Sequence, residues 1–163
     1  MAKMFFTYST MGAGKSANLL MVAHNYELQG KEVLLLTPAI DDRKDVGVIR
    51  SRTGMVRYAY AIFEEDSLLD IVNEGLKEGM DIHCILVDES QFLTREHVIQ
   101  LSEIADYFNV PVMCYGLKND FQNKLFEGSE ALLLYADKIQ EIKTICVKEC
   151  CRKKAIMNLR WIS

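Results

Sequence analysis

Residues 9–16 read STMGAGKS, and residues 84–92 read CILVDESQF. The first string ends in the Gly-Lys-Ser of a phosphate-binding loop, although Ser9 stands where the pattern G-x-x-x-x-G-K-[ST] has its first glycine. Such a loop turns successive backbone N–H groups toward a phosphate, at the positive end of the helix that follows. Small residues let the backbone come close, so Ser9, Thr10, Met11, Gly12, Ala13 and Gly14 read as the cradle. Lys15 would then reach the outer phosphates of ATP, and the Ser16 hydroxyl would ligate Mg²⁺. The second string supplies what such a loop needs beside it, a carboxylate at the end of a buried strand to hold Mg²⁺ through water; that residue is Asp88. Ser90 and Gln91 follow in the same string and are counted with the nucleotide-binding residues.

Glu89, directly after Asp88, divides two classes of chemistry. In a water-directed ATPase it activates water; in a small-molecule kinase it accepts the proton of a substrate hydroxyl. The string DESQ is similar to the second motif of some helicases. Helicases build their ATP site between two such domains, whereas 163 residues hold one, and a net charge of −4 gives no general attraction for nucleic acid. An oligomeric ATPase and a small kinase remain.

The elements that must position these residues can be read from hydrophobic period. MFFTYS (4–9) is a short β-prone run, and Ser16 to Gln29 carries a helical stripe of Leu19, Leu20, Val22, Ala23 and Tyr26 that Gly30 stops. EVLLLT (32–37) is a continuous apolar run of the kind buried on both faces of a parallel sheet. Residues 38–56 are polar and turn-rich, and 57–63 can form a strand. Ser67 caps an expected helix to about Glu78, 84–89 is another buried strand, and Glu96 to Phe108 is helical by period. VPVMCYG (110–116) is a strand, Glu127 to Tyr135 a short helix, and Lys138 to Val147 a last strand. This alternation predicts an α/β, P-loop NTPase-like parallel sheet flanked by helices. The loops after the strands would line a ligand crevice. Phe92, Phe121 and Phe126 fall on such loops, where their rings could sandwich a planar base or simply pack in the core.

Half of the residues are hydrophobic and 26% are charged, an ordinary globular composition, and no run of about 18 apolar residues exists to span a membrane. The cytoplasm is the expected compartment. Cys84 and Cys114 lie in apolar runs and read as inert core. From residue 141 the composition shifts: residues 141–160 hold six basic and two acidic side chains, read as a solvated face or an anion-binding surface, and Cys146, Cys150 and Cys151 cluster there. A metal site is the better expectation for that cluster than a disulfide framework.

Taken in order, STMGAGKS, IDDR (40–43), SRTG (51–54), LVDESQF (86–92), CYGLKNDFQNKLF (114–126) and KTIC (143–146) resemble the type II thymidine kinases, most closely their bacterial branch. The resemblance implies ATP-dependent phosphorylation of the 5′-hydroxyl of thymidine, with Glu89 as the base and Asp88 serving Mg²⁺. It implies that Asp41 and Arg43 lie near the active site, and that Met11, Phe92, Leu117, Phe121 and Phe126 surround the thymine ring. It further implies a homotetramer and inhibition by thymidine triphosphate; the net charge of −4 and the lack of a long apolar run add the expectation that neither nucleic acid nor membrane is a partner. The alternative is a nucleotide-binding module or ATPase without nucleoside kinase activity.

The family also carries a zinc subdomain after the nucleotide-binding domain, and structural zinc takes four ligands. CVKECC provides one ligand pair, Cys146 with Cys151 by alignment of the following RKKAIMNLR, Cys150 being the alternative. His24, His83 and His97 lie in or beside core elements, and none is an obvious replacement for the second pair. The resulting division is a nucleotide-binding kinase domain over 1–140 and a truncated zinc-ribbon-like arm over 141–163. In the family the lid that closes over thymidine belongs to the same subdomain, so the resemblance implies weakened thymidine binding, or no activity, for the sequence as it ends at Ser163.

Overall fold

A computed structural model of the chain describes residues 2–9, 15–39, 46–51, 54–120 and 122–142. The unbroken run Val33 to Leu36 is buried along its whole length, and its side chains divide by turns between two cores. Leu34 and Leu36 join Phe6, Ile85 and Val87 on one face, while Val33 and Leu35 join Cys84, Leu86 and Tyr115 on the other. A strand buried on both faces must lie inside a sheet covered by helices on both sides, and that is its position.

The elements run β1 (Met4–Ser9), α1 (Lys15–Leu28), β2 (Glu32–Pro38), β3 (Val46–Arg50), β4 (Val56–Ile62), α2 (Leu68–Lys77), β5 (Ile82–Val87), a single 3₁₀ turn (Ser90–Phe92), α3 (Arg95–Phe108), β6 (Val112–Leu117), α4 (Glu127–Tyr135) and β7 (Lys138–Ile142). Among the described residues they build a seven-stranded sheet in the order β3-β4-β2-β5-β6-β1-β7. Leu19, Leu20 and Ala23 of α1 cover one face; Leu68 and Val72 of α2, Leu101 and Ile104 of α3 and Leu132 of α4 cover the other. Each such large side chain contributes about 1.5–3 kcal/mol by burial, more than any local helix preference here.

Among the described residues all strand pairings are parallel except that of β3 with β4. This corrects two expectations, a purely parallel sheet and a polar, turn-rich segment over 38–56. VGVIR is too short and too interrupted by Gly47 to announce a strand. It is held by its partner: Val46 to Arg50 pair in antiparallel register with Tyr60 to Val56. The connecting turn is closed by Ser51, whose N–H donates to the Met55 carbonyl at 2.9 Å and whose Oγ accepts the Met55 N–H at 3.1 Å.

Other boundaries shift little. Ser67 caps α2 by accepting the Asp70 N–H, as expected, and Thr94 caps α3 by accepting the His97 N–H at 3.1 Å, one residue earlier than the period suggested. The strand expected over 84–89 spans Ile82–Val87, so Asp88 and Glu89 stand just past its end. The last strand is described to Ile142; the rest of its expected span, Lys143 to Val147, lies outside the described residues. Cys84 and Cys114 are fully buried, and burial pushes both thiols up, Cys84 to about 11. Among the described residues no helix is long and apolar enough to cross a membrane.

Candidate phosphoryl-transfer site

Parallel strands deliver their carboxyl ends to one edge of the sheet, and three neighbours, β5, β6 and β1, bring the site residues there. Ser9 ends β1 in register with Leu117 at the end of β6. Lys15 and Ser16 open α1, and Asp88 and Glu89 leave β5. The Asp88 N–H still donates to the Leu36 carbonyl, at 2.9 Å, which holds it against β2.

Glu89 then departs from the strand with φ 51° and ψ 40°, a left-handed conformation uncommon for a residue with a Cβ. It costs about 1–2 kcal/mol. The chain enters the 3₁₀ turn directly from it, and the two successive carboxylates both reach one ammonium. Lys15 Nζ lies 2.7 Å from Glu89 Oε2 and 3.3 Å from Asp88 Oδ1. The Ser16 hydroxyl donates to Asp88 Oδ2 at 3.0 Å.

The Asp88 side chain is only 5% exposed and that of Lys15 14%, against 31% for Glu89. Two carboxylates facing one ammonium leave a formal excess of one negative charge in a place poorly screened by water, which favours a further cation. Ser16 Oγ and the Asp88 carboxylate present adjacent oxygen donors, the donor type that Mg²⁺ takes. The Lys15 ammonium, at the head of a helix, is placed to meet phosphate.

Behind the carboxylates the 3₁₀ turn is packed hard. Gln91, 2% exposed, accepts the Leu117 N–H on its Oε1 at 3.0 Å and donates from Nε2 to Glu89 Oε1 at 3.4 Å. Ser90 is fully buried beside it. Two glycines permit this packing. A Cβ on Gly116 would stand 2.6 Å from Gln91 Oε1 and from Ser90 Oγ, and one on Gly128 would meet the Ser90 carbonyl. The α4 amino end is thereby drawn onto the turn, where the Ser129 hydroxyl donates to the Leu117 carbonyl. We expect Gly116→Ala to lower stability by about 1–3 kcal/mol, because the Gln91 backbone N, 2.9 Å from the added carbon, must shift. Thermal unfolding checks this; an unchanged Tm would mean that the turn is loosely packed.

Beyond the turn, the half-exposed ring of Phe92 meets Phe126 edge to face, with centroids 5.7 Å apart at 73°. Phe92 also walls a cleft of about 290 Å³ with Pro38, Ala39, Ile62 and His97. The His97 ring is engaged with the Asp66 carbonyl, its Nε2 at 2.9 Å.

Of the residues singled out from sequence, the structure brings together Lys15, Ser16, Asp88, Glu89, Gln91 and Leu117, and separately Phe92 and Phe126. Ser9 is buried at the end of β1. Thr10, Met11, Gly12, Ala13, Gly14, Asp41, Arg43, Phe121, Cys146 and Cys151 lie outside the described residues. Among the described residues no cluster of three or more His, Cys, Asp or Glu could hold a metal ion by itself. Sequence reasoning missed the supports, Gly116, Gly128 and Ser129; the runs of small residues in CYG and EGS were the available signal.

Comparison with known proteins bears on this geometry. Residues 2–163 match the family described as Thymidine kinase. A protein named Thymidine kinase from Lactiplantibacillus plantarum is 52% identical over 161 residues, 99% of this chain and 81% of the relative. One of the same name from Listeria monocytogenes serotype 4b is 54% identical over 160 residues, 98% of this chain and 81% of the relative. A third, from Lactococcus lactis, is 54% identical over 162 residues, 99% of this chain and 83% of the relative.

Proposed function

The chain belongs to the thymidine kinase family, and from that membership we propose how its own residues carry out the transfer. Its reaction is the phosphorylation of thymidine, with ATP as the donor that a kinase of this family uses. The finer assignments are ours. Glu89 takes the proton of the thymidine 5′-hydroxyl as that oxygen bonds to the γ-phosphorus; the bond from phosphorus to the bridging oxygen of ADP breaks, and ADP leaves with the electron pair. The transfer needs positioning and charge compensation more than covalent participation by the protein.

The observation that carries this reading is the contact of Lys15 with Glu89 at 2.7 Å. An ammonium held by two carboxylates can exchange them for phosphate oxygens when a triphosphate enters. Lys15 then neutralises the phosphates, and Glu89 Oε2 is released to accept a proton. Ser16 and Asp88 are the residues that would hold Mg²⁺, which supplies charge neutralisation on the phosphates when bound. Asp41 and Arg43, and the loop residues Ser9, Thr10, Met11, Gly12, Ala13 and Gly14, are proposed to embrace the same phosphates, on the match of their strings.

Thymine is proposed to lie against Phe92 and Phe126 with Leu117, joined by Met11 and Phe121. The edge-to-face pair of Phe92 and Phe126 supports this, since the Phe92 ring stays half exposed and lines the cleft. On the family resemblance we further propose a cytoplasmic homotetramer inhibited by thymidine triphosphate, with zinc on Cys146 and Cys151.

Phe92→Ala tests the base pocket. We expect the KM for thymidine to rise about 5- to 150-fold, the loss of one stacking contact, with the KM for ATP unchanged. Equal changes in both would place Phe92 outside the nucleoside site.

A further inference from the structure

We propose that Gln91 is a positioning residue for phosphoryl transfer: it holds the Glu89 carboxylate in place while Lys15 leaves it for the phosphates, and ties that carboxylate to the end of β6. The inference rests on the reading of Glu89 as the base. Three observations carry it. The Gln91 side chain is buried at 2% exposure, where an amide must have its hydrogen bonds satisfied within the protein. Its orientation is dictated by Leu117, whose N–H can only donate and therefore draws Oε1, which turns Nε2 toward Glu89 Oε1. The room for the amide exists because residue 116 lacks a Cβ.

The consequence follows from how Glu89 is shared. Oε2 is bound to Lys15 and Oε1 faces Gln91. If Lys15 turns to the phosphates, Gln91 is the remaining described donor on Glu89. A carboxylate anchored through Oε1 presents Oε2 to the substrate hydroxyl in a defined direction. Because the Leu117 N–H holds the other end of the amide, the base is set relative to the end of β6.

Two substitutions separate this from a merely structural role. Gln91→Leu removes both bonds, and we expect kcat to fall about 10- to 100-fold with the KM for ATP little changed, the cost of a misdirected base. Gln91→Glu keeps an acceptor for Leu117 but sets a second carboxylate against Glu89. Among the described residues the charged groups beside that pair are Lys15 from α1 and Asp88 from the end of β5, with the Leu117 N–H and the Ser90 hydroxyl as polar neighbours. When protonated, the introduced carboxyl can accept from Leu117 and donate to Glu89 together. The ratio of variant to parent kcat should therefore rise several-fold as pH is lowered from about 8.5 to about 6.

The experiment is steady-state kinetics of both variants and of Glu89→Gln over that pH range, with Tm recorded for each. Kinetics as expected, with the Glu89→Gln kcat lowered at least about 100-fold, support the positioning role. A Gln91→Leu kcat within twofold of the parent, or a Gln91→Glu ratio flat with pH beside a lowered Tm, overturns it while leaving Glu89 as the base. A Glu89→Gln kcat close to that of the parent overturns both.

Discussion

Glu89→Gln is expected to lower kcat for thymidine phosphorylation by about 10²- to 10⁴-fold, the range a positioned general base contributes. The substitution is nearly isosteric. The new amide oxygen can still accept from Lys15, which lies 2.7 Å from Glu89 Oε2, while the new NH₂ takes the place of Oε1 and gives up only the 3.4 Å bond from Gln91 Nε2, so the turn after β5 should largely keep its shape. What is lost is the capacity to accept a proton. ATP binding, which the proposed chemistry assigns to Lys15, Ser16 and the loop before them, should be retained within a few-fold. Calorimetric titration with ATP beside kcat makes the distinction. Loss of both would mean that Glu89 shapes the nucleotide site, and retention of kcat would remove it from the chemistry.

Lys15→Met is expected to act on both affinity and rate. Methionine keeps the apolar stem and discards the charge. Without the ammonium the γ-phosphate loses its closest cation, and kcat/KM for ATP should fall about 10²- to 10³-fold, comparable to removing one preorganised donor from a transition state. Asp88 and Glu89 would then face each other uncompensated, Asp88 at 5% exposure, and stability should drop by about 1–3 kcal/mol. Added Mg²⁺ should return part of that loss, since oxygen donors freed of their ammonium bind a divalent cation. Thermal unfolding in Mg²⁺ and in EDTA reads this, and a Tm of the variant indifferent to Mg²⁺ would contradict the assignment of Ser16 and Asp88. Lys15→Arg should not restore rate, because a planar guanidinium cannot occupy the position of a point charge between two carboxylates.

Much of this was legible in the sequence because its signals are local. Val33 to Leu36 and Ile85 to Val87 are apolar at every position, which only a strand covered on both faces tolerates. GKS before a helical stripe and Asp88 after an apolar run each state one half of a phosphate site, and the structure joins them through Lys15 and Ser16. What was not legible depends on partners far along the chain. β3 exists because β4 pairs with it, while VGVIR alone carries no strand signal. The left-handed turn at Glu89 is invisible in the letters DES, since glutamate does not prefer that conformation. Gln91 read as one more nucleotide-binding residue; its bond to Leu117 needs β5 and β6 side by side, a neighbourhood that only the assembled sheet provides.

The most direct measurement is ADP release from Mg·ATP by this 163-residue chain, with and without thymidine, with the nucleoside product assayed in parallel. The expected result is release that depends on thymidine and matches thymidine monophosphate mole for mole, which makes a nucleoside hydroxyl, and not water, the acceptor. Release indifferent to thymidine, with no phosphorylated nucleoside, would contradict it and turn Glu89 toward water.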